Sequence, residues 1–255
     1  MRGLDGKAVL MAGGAGGIGS ATSARLGAEG VRVAVGDLDL AAAEAVATDI
    51  NRSGGEAFAI RLDIGDEDSV VEAVQAAVKA FGGLDGVHVN AADLSPETIT
   101  ADTDAQTIDL DAFDRTIRTN LRGHLLCTRH ALPELLQRGG GALVYTSSAA
   151  AFVGEPERPA YAVAKSGINA IVRHVASKWG KQGVRANAVA PGLVLTDRIQ
   201  ESLDPSFRDM ALRGSRSPRL GRPDDIAAMV AFLMSSDAEW INGQVISVDG
   251  GATMR

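Results

Sequence analysis

The sequence predicts an α/β protein: one domain over residues 1–255, with a doubly wound, mostly parallel seven-stranded sheet and helices on both faces. Three observations carry this reading. Short apolar runs alternate with helical segments along the whole chain. The runs lack strict polar alternation, as expected where parallel strands are covered on both faces. A glycine-rich turn joins the first run to the first helical segment, and that junction presents backbone N–H groups and a helix dipole to a pyrophosphate.

In chain order, residues 7–12 (Lys-Ala-Val-Leu-Met-Ala) read as a short buried strand. The glycine turn follows, and the small-residue stretch 17–28 reads as a helix. Further strands are expected at 31–36, 56–62, 84–90, 141–147, 184–190 and 244–248. Helices are expected at 40–53, 66–80, 111–138, 159–180 and 223–235. Right-handed crossovers between parallel strands bring the ligand site to the strand C-termini. Two stretches fall outside this alternation. The acidic, Thr-rich stretch from Asp93 to Asp111 reads as a disordered surface excursion. Residues 193–220 carry Leu203, Phe207, Met210 and Leu212 among polar residues and read as a mobile lid. Arg198, Arg208, Arg213, Arg216 and Arg219 lie in that lid among Asp197, Glu201, Asp204 and Asp209, and read as solvated.

The turn Gly13-Gly14-Ala15-Gly16-Gly17-Ile18-Gly19 admits two frames. Gly14-x-Gly16-x-x-Gly19 is the general dinucleotide fingerprint, and Gly13-x-x-x-Gly17-x-Gly19 is a wider-spaced variant; both end at Gly19. Asp37 lies eighteen positions after Gly19, at the end of the second strand, where an acidic side chain hydrogen-bonds the adenosine ribose. Asp39 is its rival. A carboxylate there repels the 2′-phosphate of NADP, and no Arg or Lys occurs in the loop or from Val33 to Ala43. The predicted cofactor is NAD.

Composition bounds the rest. Hydrophobic residues make up 45% and charged residues 22%, the balance of an ordinary globular protein. A net charge of −7 argues against non-specific binding to nucleic acid or anionic membrane. Cys127 is the only cysteine, which fits a reducing compartment. No signal-like apolar run opens the chain and no segment approaches a membrane span, so the expectation is a cytoplasmic protein. His88, His124, His130 and His174 are scattered, no cluster has metal-ligand spacing, and no metal is expected. Ser148 is not in a Gly-x-Ser-x-Gly elbow, which argues against a hydrolase.

Tyr161 and Lys165 stand four residues apart, with Ser148 thirteen residues upstream of the tyrosine. Positions i and i+4 of a helix share a face, with Cβ atoms roughly 6 Å apart. The ammonium is therefore expected to lower the phenol pKa from its ordinary value near 10 and make Tyr161 a general acid/base. Ser148 is expected to donate a hydrogen bond to the oxygen on which charge develops, with Ser147 as its rival.

With loop, serine, tyrosine and lysine assembled, the chain from Lys7 onward resembles the short-chain dehydrogenase/reductase family. Val89-Asn90-Ala91-Ala92 resembles the family's Asn-Asn-Ala-Gly strand end, and Thr119-Asn120-Leu121 its helix asparagine. Thr146-Ser147-Ser148 resembles the serine strand, and the family's serine–tyrosine spacing selects Ser148. The segment Asn187 to Gly192 resembles the family's nicotinamide-enclosing stretch. Gly221 to Ala227 and Val248-Asp249-Gly250-Gly251 resemble its closing blocks. The resemblance implies a catalytic set of Tyr161, Lys165, Ser148 and Asn120, in which Lys165 holds the nicotinamide ribose and Asn120 fixes a water linking the lysine to solvent. It implies cofactor contacts from Gly13, Gly16, Gly17, Ile18, Gly19, Asp37, Asp63, Ile64, Asn90, Ala91, Pro191, Gly192, Val194 and Thr196. Asp63 has a second reading as a helix N-cap, which Asp66 would serve equally. Three departures stand out: Ala12 replaces a usual Thr, Val89 the first Asn and Ala92 the Gly of the strand-end block.

The implied activity is hydride transfer between NAD(H) and a small-molecule secondary alcohol or ketone. A 3-oxoacyl-thioester reductase and a non-catalytic NAD-binding scaffold are the alternatives. Substrate shape is expected to depend on Ala149 to Glu155 and on the lid. The family also implies a homo-oligomer, a tetramer with helices 111–138 and 159–180 packing across subunits.

Overall fold

The structure is a computed structural model and describes residues 1–254. Seven strands form one parallel sheet in the order β3-β2-β1-β4-β5-β6-β7. They are β1 (Ala8–Ala12), β2 (Arg32–Asp37), β3 (Glu56–Arg61), β4 (Gly86–Val89), β5 (Gly141–Thr146), β6 (Val184–Pro191) and β7 (Val245–Val248). Each strand pairs in parallel with its neighbours, from Ala8 opposite Arg32 to Pro191 opposite Val248. The chain reverses its direction of travel across the sheet between β1 and β4, and a crevice opens there at the strand C-termini.

The central strands are apolar in both directions because both faces are covered. On one face Leu10, Val87, Leu143 and Tyr145 pack under α3 (Glu67–Phe81), α6 (Gly123–Gln137) and α7 (Pro159–Trp179). On the other, Val9, Met11, Val33, Val35 and Val144 pack under α1 (Gly17–Ala28), α2 (Leu40–Arg52) and α10 (Pro223–Met234). Capping side chains define several starts: Asp39 for α2, accepting from the Ala42 N–H at 3.0 Å, and Asp66 for α3.

Three departures from the expected pattern bear on function. The helix expected at 111–138 is α5 (Leu110–Ile117) followed by a π-helical turn (Arg118–Arg122) and then α6. The wider turn re-aims the helix at Asn120, and such turns concentrate at functional sites. The lid contains α8 (Asp197–Ser202) and α9 (Pro205–Gly214), capped by Thr196 and Asp204. Its arginines are not all solvated: Arg219 forms a two-pronged pair with Asp225 at 2.7 and 2.8 Å, and Arg198 donates to the Leu94 carbonyl at 2.7 Å. Finally, the stretch after β4 is ordered. It holds α4 (Pro96–Ala101), and Asp102 behind it is buried. Among the described residues no helix is long and apolar enough to cross a membrane.

Candidate active site

The glycine turn between β1 and α1 is built to let backbone and ligand approach closely. Gly13 has φ +83°, and a Cβ there would lie 2.6 Å from the Ala91 backbone. A Cβ on Gly19 would fall 1.9 Å from the Gly13 carbonyl oxygen, and one on Gly17 would fall 2.4 Å from Thr196 Cγ2. Gly16 meets nothing, so it contributes openness rather than close packing. The α1 N-terminus has no side-chain cap and no acidic residue in its first turn. Its N–H groups, with Ile18 beside them, are the donors an anionic pyrophosphate requires.

The two candidate ribose ligands separate cleanly. One oxygen of Asp37 accepts from the Ala15 N–H at 2.9 Å, holding this carboxylate against the glycine turn, while Asp39 caps α2. Asp63 and Asp66 separate as well. Asp66 is the α3 cap, and Asp63 accepts from the Gly65 N–H at 2.8 Å beside buried Ile64, at the end of β3. Asn90 donates to the Gly13 carbonyl at 2.9 Å and accepts from the Thr146 hydroxyl at 2.9 Å, tying β4, β5 and the turn together. Because that hydroxyl spends its proton on Asn90, the buried His88 at 3.0 Å must donate to it through Nε2–H. Burial pushes His88 down to about 3, so it stays neutral in this role. On the far side, Pro191 and Gly192 end β6, buried Val194 pairs with Gly221, and Thr196 leads into the lid. The glycine cradle, the free helix N-terminus and the carboxylate held at the turn together fit a dinucleotide without a 2′-phosphate.

The catalytic candidates meet at the C-terminal ends of β4 and β5. Lys165 is 1% exposed, donates to the Thr146 carbonyl at 2.8 Å and places Nζ 5.6 Å from the centre of the Tyr161 ring. It is a site lysine rather than a solvated one. Ser147 is committed elsewhere, donating to Asn169 at 2.7 Å deep in the core. Ser148 lies outside, on the turn facing Tyr161. Asn120 is fully buried, and Asp93 engages its carboxamide twice: Oδ1 accepts from the Asp93 N–H at 2.7 Å and Nδ2 donates to the Asp93 carbonyl at 3.2 Å.

One expectation is corrected. Lys165 was to lower the Tyr161 pKa, but the phenol is raised, with burial as the largest cause and hydrogen bonding by Ser148 and the charge of Arg158 opposing it. The reason is that burial also pushes Lys165 down to about 7, so near neutrality a large fraction of it carries no charge. His124, fully buried nearby, is held neutral by burial and by the Lys165 ammonium.

The sequence reading missed the stretch after β4, which reads as a surface excursion and is in fact a wall of the site. Asp102 is 3% exposed, and its two oxygens accept from the Ala160 and Tyr161 N–H groups at 3.0 and 2.9 Å. It caps the catalytic helix from a distant part of the chain. Asp93 holds Asn120, and Leu94 receives Arg198 from the lid. The only sequence signal was the unusual length of this loop. We expect Asp102→Ala to leave two buried N–H groups unpaired, costing about 1–3 kcal/mol. A thermal melt of that variant unchanged from wild type would contradict this account.

Comparison with known proteins agrees with this geometry. Residues 13–253 match the family described as Enoyl-(Acyl carrier protein) reductase. A probable short-chain type dehydrogenase/reductase of Bradyrhizobium diazoefficiens is 40% identical, over 97% of this chain and 88% of that protein. The 7alpha-hydroxysteroid dehydrogenase of Bacteroides fragilis is 32% identical, over 100% of this chain and 97% of that protein. A solved 7 alpha-hydroxysteroid dehydrogenase, in complex with NADH and 7-oxo glycochenodeoxycholic acid, superposes with a TM-score of 0.92 at 30% identity, covering 100% of this chain and 96% of that one. On fold, site geometry and these full-length similarities, the chain belongs to the short-chain dehydrogenase/reductase family and is an oxidoreductase.

Proposed function

We propose that this enzyme interconverts a secondary alcohol and its ketone with NAD(H), using Tyr161 as the proton donor and acceptor. The observation that carries the reading is the meeting of Tyr161, Lys165 and Ser148 beside a glycine turn that Asp37 closes against a 2′-phosphate. The NADH bound by the solved relative supports the same cofactor. When bound, the nicotinamide supplies the hydride chemistry. Gly13, Gly17, Gly19 and Ile18 would hold the pyrophosphate and Asp37 the adenosine ribose. Asp63, Ile64, Asn90 and Ala91 would line the path to Pro191, Gly192, Val194 and Thr196.

The chain's own residues handle the proton. Tyr161 gives its phenolic proton to the carbonyl oxygen in reduction and takes the hydroxyl proton in oxidation. Ser148 donates a hydrogen bond to that oxygen as charge develops on it. Lys165, poised near neutrality and oriented by the Thr146 carbonyl, exchanges protons close to the phenol. Asn120 fixes the chain at Asp93 and so the wall of the site. Segment 193–220 acts as the lid, and the α8 contact to Leu94 is its closed position.

The test is NAD(P)H formation with a panel of secondary alcohols, on wild type and Tyr161→Phe, with each cofactor separately. NAD-dependent turnover that disappears in the variant supports the reading. A strong preference for NADP would remove the argument from Asp37 and favour a 3-oxoacyl-thioester reductase, a reading that the family description also brings forward. We further expect Asp37→Ser to admit NADP and weaken NAD, moving the ratio of kcat/KM values at least tenfold. An unchanged ratio would show that Asp37 does not read the ribose. A cytoplasmic homotetramer, with α6 and α7 at the subunit contacts, completes the proposal; light scattering at working concentration tests its mass.

A further inference from the structure

Arg158 is the only non-glycine residue among those described with positive φ, at 63°. An L-residue bearing a side chain rarely adopts that conformation unless its surroundings impose it. Here they do. The Arg158 N–H donates to the Asp102 and Thr103 carbonyls at 3.1 and 3.0 Å, and its carbonyl accepts the α7 hydrogen bond from Ala162 at 3.1 Å. The consequence is the placement of the side chain. Its guanidinium carbon lies 5.6 Å from the centre of the Tyr161 ring, as far from it as Lys165 Nζ. Nη2 is paired with Glu155 Oε2 at 2.9 Å, and both side chains are partly buried.

Two cations therefore attend the same phenol, and they differ in kind. Burial brings Lys165 down to about 7, so it loses its charge as the pH rises toward the range in which a phenol ionises. A guanidinium keeps its charge throughout. Above neutrality Arg158 is the cation left to stabilise the phenolate, and Glu155 is the anion that moderates it. The other groups around Tyr161 are accounted for. Within α7 the neighbour is Lys165. From the wall, the Asp102 carboxylate is bound to the Ala160 and Tyr161 N–H groups, and Asp93 is engaged by Thr98 and the Ser95 N–H. Ser148 is uncharged, and buried His124 is neutral. From the lid, Arg198 is turned to the Leu94 carbonyl.

We propose that Arg158 is a positioning residue that acts through Tyr161, a permanent cation that steadies its phenolate, with Glu155 as the opposing partner. The proposal rests on the reading of Tyr161 as the proton donor and acceptor. It gives the strained backbone at the head of the catalytic helix a purpose, since an ordinary helical Arg158 would carry its guanidinium away from the ring.

The experiment compares the full-length enzyme with Arg158→Gln, Arg158→Lys, Glu155→Gln and Tyr161→Phe. One readout is the pH profile of kcat/KM for alcohol oxidation with NAD, whose acid limb reports the base in the free enzyme. The other needs no turnover: the chain has two tyrosines, and burial pushes Tyr145 well above the usual phenol range. The first phenolate absorbance to rise with pH therefore belongs to Tyr161, and Tyr161→Phe must remove it. Arg158→Gln is expected to move both midpoints up by about half to one pH unit, Glu155→Gln to move them down, and Arg158→Lys to restore them. Midpoints in Arg158→Gln and Glu155→Gln that coincide with wild type overturn the proposal, even if turnover falls. If Arg158→Gln does not fold, Glu155→Gln decides alone. Turnover surviving in Tyr161→Phe would instead overturn the proposed function, while the phenolate titration would still judge the coupling.

Discussion

Tyr161→Phe is expected to cut turnover roughly a thousandfold while the protein binds NADH and melts as wild type does. The magnitude is that of a positioned proton donor and acceptor. The selectivity follows from structure. The phenol hydroxyl makes no hydrogen bond on which the core depends, whereas the anchoring contacts of α7 run through the Asp102 carboxylate, the Lys165 ammonium and Ser147, all intact in the variant. Loss of NADH affinity alongside turnover would mean that the residue holds the site together rather than moving a proton. Ser148→Ala tests the partner role, since only one weak contact, from the Ala150 N–H at 3.1 Å, is sacrificed with the hydroxyl.

Gly19→Val is expected to abolish dinucleotide binding and to destabilise the fold by several kcal/mol. Its first added carbon would sit 1.9 Å from the Gly13 carbonyl oxygen and 3.1 Å from Asn90 Nδ2. Neither neighbour is a flexible side-chain tip that can swing away: one is backbone, and the other is hydrogen-bonded to that same carbonyl. Overlap of this depth forces the turn to open, which misplaces both the α1 N–H groups and the strand ends. Gly16→Ala is the matched control. It lies in the same fingerprint, but its Cβ would meet nothing within 4 Å, so binding and stability should hardly change. Equal damage from both substitutions would refute the geometric account. Calorimetric titration with NADH and a thermal melt measure the pair.

The parts legible in the sequence were those with a local physical cause. The strands were readable because two-sided burial demands unbroken apolar runs, as in Ala8–Ala12. The nucleotide turn was readable because only glycine tolerates such contacts. What escaped notice depended on distant partners. Residues 96–101 become a helix beside a buried Asp102 because the carboxylate finds the head of α7, some sixty positions away in the chain. An acidic, Thr-rich run carries no trace of that. The π-helical turn at Asn120 likewise answers to Asp93 rather than to its own residues. The short lid helices did carry signals, Thr196 and the pair Asp204-Pro205 at their starts, which a reading centred on hydrophobic period passes over. The direction of the Tyr161 shift could not be read at all, since spacing shows that a cation is near but not how deeply it is buried. Ser148 over Ser147 rested on family spacing, and the core contact of Ser147 with Asn169 supplies the physical reason.

The buried Lys165 makes the enzyme's heat of unfolding depend on its buffer. In the fold its ammonium titrates at about 7, against an ordinary value of 10.5 once the chain is released. Between those values the unfolded chain holds one more proton than the native one at this position, so this residue's contribution to stability rises with pH across that window. Below about pH 7 both states are protonated, and the full cost of burying the ammonium weighs on the fold. Melting at pH 8–9 must therefore draw a proton from the solution. Calorimetric scans in phosphate and in Tris, which release protons with very different heats, should differ in enthalpy by about one proton's worth, and Lys165→Met should bring them together.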